Sequence, residues 1–95
     1  MVITILEAHV DADRWSAFAQ DFKERSAELP PQMVQTFLMQ DTADKTLWRI
    51  LSVWKSREAL EEMRNSGETP TGVIMFRSAG AEPKLSIFNV PVSAP

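Results

Sequence analysis

Between Thr46 and Trp54 the chain reads TLWRILSVW, and an extended backbone there carries large apolar groups on both sides. Strand side chains alternate, so Leu47, Leu51 and Val53 fall on one face and Trp48, Ile50 and Trp54 on the other. A strand of this kind is covered on both faces. Any fold for this chain must therefore supply two apolar layers around one strand, from only 95 residues. A domain of that size buries about 60–65% of its unfolded surface. A second copy of the chain is a natural source of the missing layer.

The flanking segments supply the first layer. Val2 to Val10 is rich in β-branched residues and predicts a strand. One face would carry Val2, Thr4, Leu6, Ala8 and Val10, the other Ile3, Ile5, Glu7 and His9. Asp11 or Asp13 can cap a following helix through its carboxylate. Over Asp13–Leu29 the residues Trp15, Phe18, Phe22 and Leu29 recur at helical spacing, with Ala19 and Ser26 filling gaps. Pro30-Pro31 stops that helix, since proline disfavours helical geometry in the residue before it. Met33–Gln40 predicts a second strand, joined to Thr46–Trp54 by a polar hairpin connection at Asp41–Lys45. Ser56 opens a second helix with Glu58 near its positive end. Its inward residues are Ala59, Leu60 and Met63, and Gly67 suits its end. Val73–Arg77 predicts a short helix begun at Thr69-Pro70 or Thr71, and Lys84–Val90 the last strand.

The order β-α-β-β-α-β is the split βαβ, or ferredoxin-like, arrangement of the α+β class. It predicts one domain over residues 1–90 and a loose tail over residues 91–95. The four strands should form an antiparallel sheet with both helices on one face. The other face is bare in a single copy. The two-sided strand then predicts a homodimer through the sheet faces.

Composition removes several functions. Ten Lys+Arg stand against 13 Asp+Glu, with no basic cluster, so no nucleic-acid partner is expected. Without cysteine there is no thiolate nucleophile or Cys-based metal site. A single histidine, His9, rules out a multi-histidine zinc centre. The N-terminal MVITILEAHV lacks the basic region of a signal peptide. No apolar run approaches the ~20 residues that cross a bilayer. No membrane partner and a cytoplasmic location are expected. Asp41 and Asp44 read as turn residues, not as metal ligands. No metal and no cofactor are predicted.

The stretch Val53-Trp54-Lys55-Ser56-Arg57-Glu58-Ala59-Leu60 ends a strand in Trp and continues with Ser, a charged residue and Glu-Ala-Leu. It resembles the antibiotic biosynthesis monooxygenase superfamily of dimeric α/β-barrel proteins, and the element order extends the resemblance over most of the chain. The resemblance implies a homodimer packed sheet to sheet, with a pocket between sheet and helices in each subunit. The superfamily includes cofactor-free oxygenases of aromatic polyketides, haem-degrading enzymes and quinol oxygenases. The haem-degrading branch keeps a Trp where this chain has Met63, a haem-ligating His where it has Val73, and a first-strand Asn near Glu7. Haem degradation is therefore not expected. The approach to the second strand, Leu29-Pro30-Pro31-Gln32, also departs from the Glu-Pro-Gly-Cys type.

Candidate catalytic residues are Glu7, His9 and Asn89. His9 is the residue type most often used as a general base, against the plainer role of a solvated imidazole at a strand end. Glu7 shares its face with His9, or pairs with Arg49 on a neighbouring strand. Asn89 could orient a carbonyl or peroxide, or satisfy a strand end. If the first strand turns Ile3, Ile5, Glu7 and His9 toward the helices, Glu7 and His9 lie at the mouth of a cleft roofed by Trp15, Phe18 and Phe22. Trp15, Phe18, Phe22 and Met63 are the expected pocket lining. The three tryptophans and the methionines serve equally as core.

Two functions fit. One is a cofactor-independent oxygenase on a small aromatic or quinone-like substrate, whose carbanion reduces O₂ in a dry pocket holding a base. The other is a non-catalytic dimeric module that binds a small molecule or a protein. Glu7, His9 or Asn89 convergent on an apolar floor favours the first. Apolar walls with Glu7 and His9 left on the surface favour the second.

Overall fold

The computed structural model describes residues 1–95. Its strands are β1 (Val2–His9), β2 (Met33–Gln40), β3 (Leu47–Trp54) and β4 (Lys84–Asn89). Its helices are α1 (Trp15–Arg25), α2 (Arg57–Arg64) and α3 (Thr71–Ser78), with a 3-10 turn at Ala12–Arg14 before α1. The strands form one antiparallel sheet in the order β2-β3-β1-β4. This is the ferredoxin-like α+β fold, with β3 and β1 in the middle. Residues 91–95 follow as an exposed segment without regular structure.

Local chemistry sets the helix limits. Neither Asp11 nor Asp13 caps α1 through its side chain. The 3-10 turn intervenes, and the helix starts at Trp15. Nor does α1 reach Leu29. The Ser26 hydroxyl donates to the Phe22 carbonyl at 2.6 Å, and the Ser26 amide donates to the same oxygen at 2.9 Å. The helix ends at Arg25, with Ser26 as its C-cap. The start of α2 is as the sequence reads: the Ser56 hydroxyl accepts from the Ala59 amide at 3.0 Å. Helix α3 opens after Pro70, whose carbonyl takes the amides of both Val73 and Ile74. Its second residue, Gly72, lies against the side chain of Leu6. A Cβ on Gly72 would sit 2.7 Å from Leu6 Cδ1, so glycine lets the helix start lie against the sheet.

Register fixes the faces. Thr4 pairs with Ser52 and Leu6 with Ile50, so β1 and β3 turn matching sides to the helices. Val2, Thr4, Ala8, Trp48, Ile50, Ser52 and Trp54 are buried on that side. The opposite face carries Ile3, Ile5, Leu51 and Val53, half-buried, flanked by the exposed rings of Phe37 and Phe88. Helix burial goes to the face with Val2, Thr4, Leu6 and Ala8 because it has no charged member. The face with Glu7 and His9 stays open.

The core under the helices falls into two clusters. The larger joins Ala8, Val10, Phe18, Trp48, Ile50, Met75 and Phe76 beneath α1 and α3. Phe18 packs edge-on to Trp48 at 5.6 Å and against Phe76 at 4.9 Å. The smaller joins Val2, Trp54 and Leu60 beneath α2. No helix is long and apolar enough to cross a membrane.

Candidate functional site

Between the two core clusters the sheet carries a row of short side chains. Thr36 pairs with Ser52, and Ser52 with Thr4, across β2, β3 and β1. On one side of this row stand Trp54 and Val2, on the other Ile50 and Leu6. Short residues between tall ones leave a trough, and the helices roof it. The result is a cavity of about 370 Å³. Phe22, Leu29 and Pro30 close it from the α1 side, Leu60 and Met63 from α2, and Gly72, Val73 and Met75 from α3.

The floor is neutral, and its hydroxyls take part in hydrogen bonds within the sheet. Trp54 Nε1–H donates to Thr4 Oγ1 at 2.9 Å. Thr36 Oγ1 donates to the Leu51 carbonyl at 3.2 Å and lies 3.0 Å from Ser52 Oγ. Thr4 and Ser52 are 7% and 6% exposed, so these hydroxyls sit in a low-dielectric setting where hydrogen bonds are strengthened. Charged groups occur only at the rim: Arg25, Glu28, Arg64, Glu68, Arg77 and Glu82. Arg77 holds Glu82 through two bonds of 2.9 Å. Those bonds lower the Glu82 pKa and raise that of Arg77. Arg25 is tied to Asp21 at 2.7 Å.

The structure does not bring Glu7, His9 and Asn89 together. Glu7 and His9 lie on the open face, away from the cavity. Glu7 accepts from Arg49 Nε at 2.6 Å, and Arg49 also lies 3.5 Å from Asp41. His9 is exposed, with Nδ1 2.9 Å from Thr46 Oγ1. Asn89 ends β4 opposite Val2, exposed and outside the cavity lining. Phe22 and Met63 line the cavity, whereas Trp15 and Phe18 do not. Trp15 instead donates its indole N–H to the Val10 carbonyl and tilts onto Trp48. Met33 and Met75 join the lining, while Met39 pairs with Arg49 on the open face.

Asp41 and Asp44 organise the hairpin. Asp41 accepts the amides of Asp44 and Ala43, which lowers its pKa. Asp44 accepts the hydroxyl and amide of Thr46, with the same effect. No cluster of His, Cys, Asp or Glu is placed to hold a metal ion.

Thr4, Thr36 and Ser52 line the cavity without standing out in the sequence. Their only sequence signal is a hydroxyl inside an apolar alternation: Thr4 between Val2 and Leu6, Ser52 between Ile50 and Trp54, Thr36 two before Leu38. Nothing in that pattern says the three meet.

A ferredoxin-like sheet with a roofed cavity and a strand-end Trp in its wall places the chain among small α+β proteins with an internal cavity. The family model for antibiotic biosynthesis monooxygenase matches residues 1–70, and the chain belongs to that family. Among solved structures, the chain is similar to SnoaB, a cofactor-independent oxygenase from Streptomyces nogalater. There the identity is 16%, the TM-score 0.74, and the match covers 99% of this chain and 96% of the other. It is also similar to the heme-degrader MhuD from Mycobacterium tuberculosis. That match has 19% identity, a TM-score of 0.72 and full coverage of both chains. At such identities the likeness establishes the fold. No curated protein matches the chain.

Two relatives of one fold with different chemistry make the lining decisive. Met63 and Val73 both face the cavity. The lining holds no His, Cys or Tyr, the residues that most often ligate a single-ligand haem iron. The residues present do not fit haem. Titration with hemin followed by ascorbate is expected to leave the Soret band at the rate of a protein-free control. A rapid, saturable loss would overturn this.

Proposed function

We propose that the cavity takes a small planar aromatic molecule and that the protein oxygenates it with O₂, without a cofactor. The observation that carries this is the chamber itself: apolar walls of Trp54, Leu6, Ile50 and Phe22 over a floor of neutral hydroxyls. Apolar walls with a few placed polar groups are the usual make-up of a small-molecule site. Family membership and the likeness to a cofactor-independent oxygenase support the reaction class. For a methylene activated by flanking aryl and carbonyl groups, the balance is R₂CH₂ + O₂ → R₂C=O + H₂O. The substrate supplies all four electrons, so no external reductant is required. The chain's part is to hold the ring in a dry pocket and to shield the carbanion from reprotonation by water. Glu28 and Glu68 at the rim are the candidate proton acceptors.

A second reading, binding without turnover, is favoured by one observation: no titratable side chain reaches the cavity floor. Oxygen uptake in the presence of an anthrone, together with calorimetric titration, separates the two. The oxygenase predicts saturable binding and uptake of one O₂ per anthrone, well above the protein-free rate. Saturable binding with background uptake would leave the binding module. No binding would remove both.

The same reading covers the open face with a second copy of the chain. Ile3, Ile5, Leu51 and Val53 form a contiguous apolar centre with Phe37 and Phe88 at its sides. Contiguous apolar surface of this kind marks an interaction site. A two-fold pairing sets the patch against itself, with the Glu7–Arg49 pair toward the edge.

A further inference from the structure

The cavity floor has a direction. A hydroxyl has one hydrogen to give and two lone pairs to receive with. Thr36 spends its hydrogen on the Leu51 carbonyl, which can only accept. With that hydrogen so placed, the 3.0 Å contact between Thr36 and Ser52, which either hydroxyl could donate, is made by Ser52 donating to Thr36. On the other side, the indole of Trp54 can only donate, so Thr4 receives. Thr4 keeps its hydrogen, and no group of the chain accepts it. Ser52 keeps its lone pairs, and no group of the chain donates to them.

These two unspent capacities are neighbours. Thr4 and Ser52 stand directly opposite on β1 and β3, on the buried side, and both line the cavity. Opposite residues of an antiparallel pair have Cβ atoms about 5 Å apart. One oxygen seated above the pair reaches both hydroxyls. To complete the chain of bonds it must accept from Thr4 and donate to Ser52. A carbonyl or ether oxygen can only accept, and a carboxylate would enter a floor without cations. A hydroxyl does both.

Resting on the reading of the cavity as an aromatic site, we propose that it selects a phenolic or enolic hydroxyl, held between the Thr4 donor and the Ser52 acceptor. Trp54 is then a positioning residue: its N–H occupies a Thr4 lone pair and so aims the Thr4 hydrogen at the ligand. The run from Trp54 through Thr4, the ligand hydroxyl, Ser52 and Thr36 to the Leu51 carbonyl is one unidirectional chain, in which each bond polarises the next.

The test is calorimetric titration with 1-naphthol, 1-methoxynaphthalene and naphthalene. On the unaltered protein 1-naphthol should bind about tenfold more tightly than either analogue. Thr4→Val and Ser52→Ala should each weaken 1-naphthol about tenfold and leave naphthalene within about twofold. Thr4→Ser, which keeps both hydroxyl functions, should restore the 1-naphthol affinity. A merely structural role for Thr4 would weaken naphthalene as much as 1-naphthol. Should Thr4→Val fail to fold, Ser52→Ala carries the comparison, because it spares the Trp54–Thr4 bond. Equal affinity for all three ligands, or equal weakening of 1-naphthol and naphthalene, overturns the hydroxyl selection while the aromatic site stands. Failure of all three to bind overturns the aromatic site as well.

Discussion

Leu51→Lys is expected to turn a dimer into a folded monomer. Leu51 sits in the middle of β3 on the open face, between Phe37 on β2 and Ile5 on β1. In the proposed dimer this position is covered, and a two-fold axis brings the substitution in twice. Burying an unpaired ammonium in such a patch is costly. Loss of a central interface contact is worth about 2–4 kcal/mol, so two copies should weaken association by more than about a hundredfold. In the isolated chain Leu51 is only half-buried, so the fold itself should tolerate the change. Its neighbour provides the contrast. Ile50 is 4% exposed and faces the helices, so Ile50→Lys should abolish folding, not just pairing. Sedimentation equilibrium at micromolar concentration, with circular dichroism alongside, distinguishes these. The parent chain should run at twice the chain mass and Leu51→Lys at the chain mass with its spectrum retained. A monomeric parent, or a Leu51→Lys chain that still pairs, would remove the open face as the interface.

Phe76→Ala should have the largest effect on stability among single truncations. Phe76 is fully buried in α3 and packs on Phe18 at 4.9 Å, inside the larger cluster. Truncating a buried phenylalanine removes its transfer free energy and leaves a cavity, together about 3–5 kcal/mol. A domain of this kind holds only about 5–15 kcal/mol in total. The urea midpoint should therefore fall steeply while the slope of the transition stays unchanged. A loss below about 1 kcal/mol would mean that α3 does not pack on α1 and the sheet as described.

Much of the fold is legible along the chain because its signals are local. β-branched runs mark the strands, Ser56 caps α2 through its own hydroxyl, and Pro70 starts α3. Asp41 and Asp44 bond within their own loop, so their turn chemistry needs no tertiary context. The limits of α1 were less legible. Ser26 fits a gap in the helical stripe, yet the helix ends just before it and its hydroxyl turns back to the Phe22 carbonyl.

The site was barely legible. Glu7 and His9 attract attention as the polar members of the first strand, and the structure puts both on the face away from the cavity. Glu7 instead meets Arg49, the neighbouring-strand partner that the sequence also allows. Thr4, Ser52 and Thr36 attract none, since an isolated hydroxyl in a strand has no motif.

By itself the sequence determined the kind and order of the elements, and that one strand carries large apolar groups on both faces. Those follow from alternation, capping and helix-stopping residues, which act within a few positions of the chain. The tertiary structure alone decided which face of each strand meets the helices. Alternation has a period of two and reads the same from either side. A face is chosen only when register aligns several strands and the helices select the least charged side. The same register sets Thr36, Ser52 and Thr4 in one row, from positions far apart in the chain, and so makes the floor of the cavity.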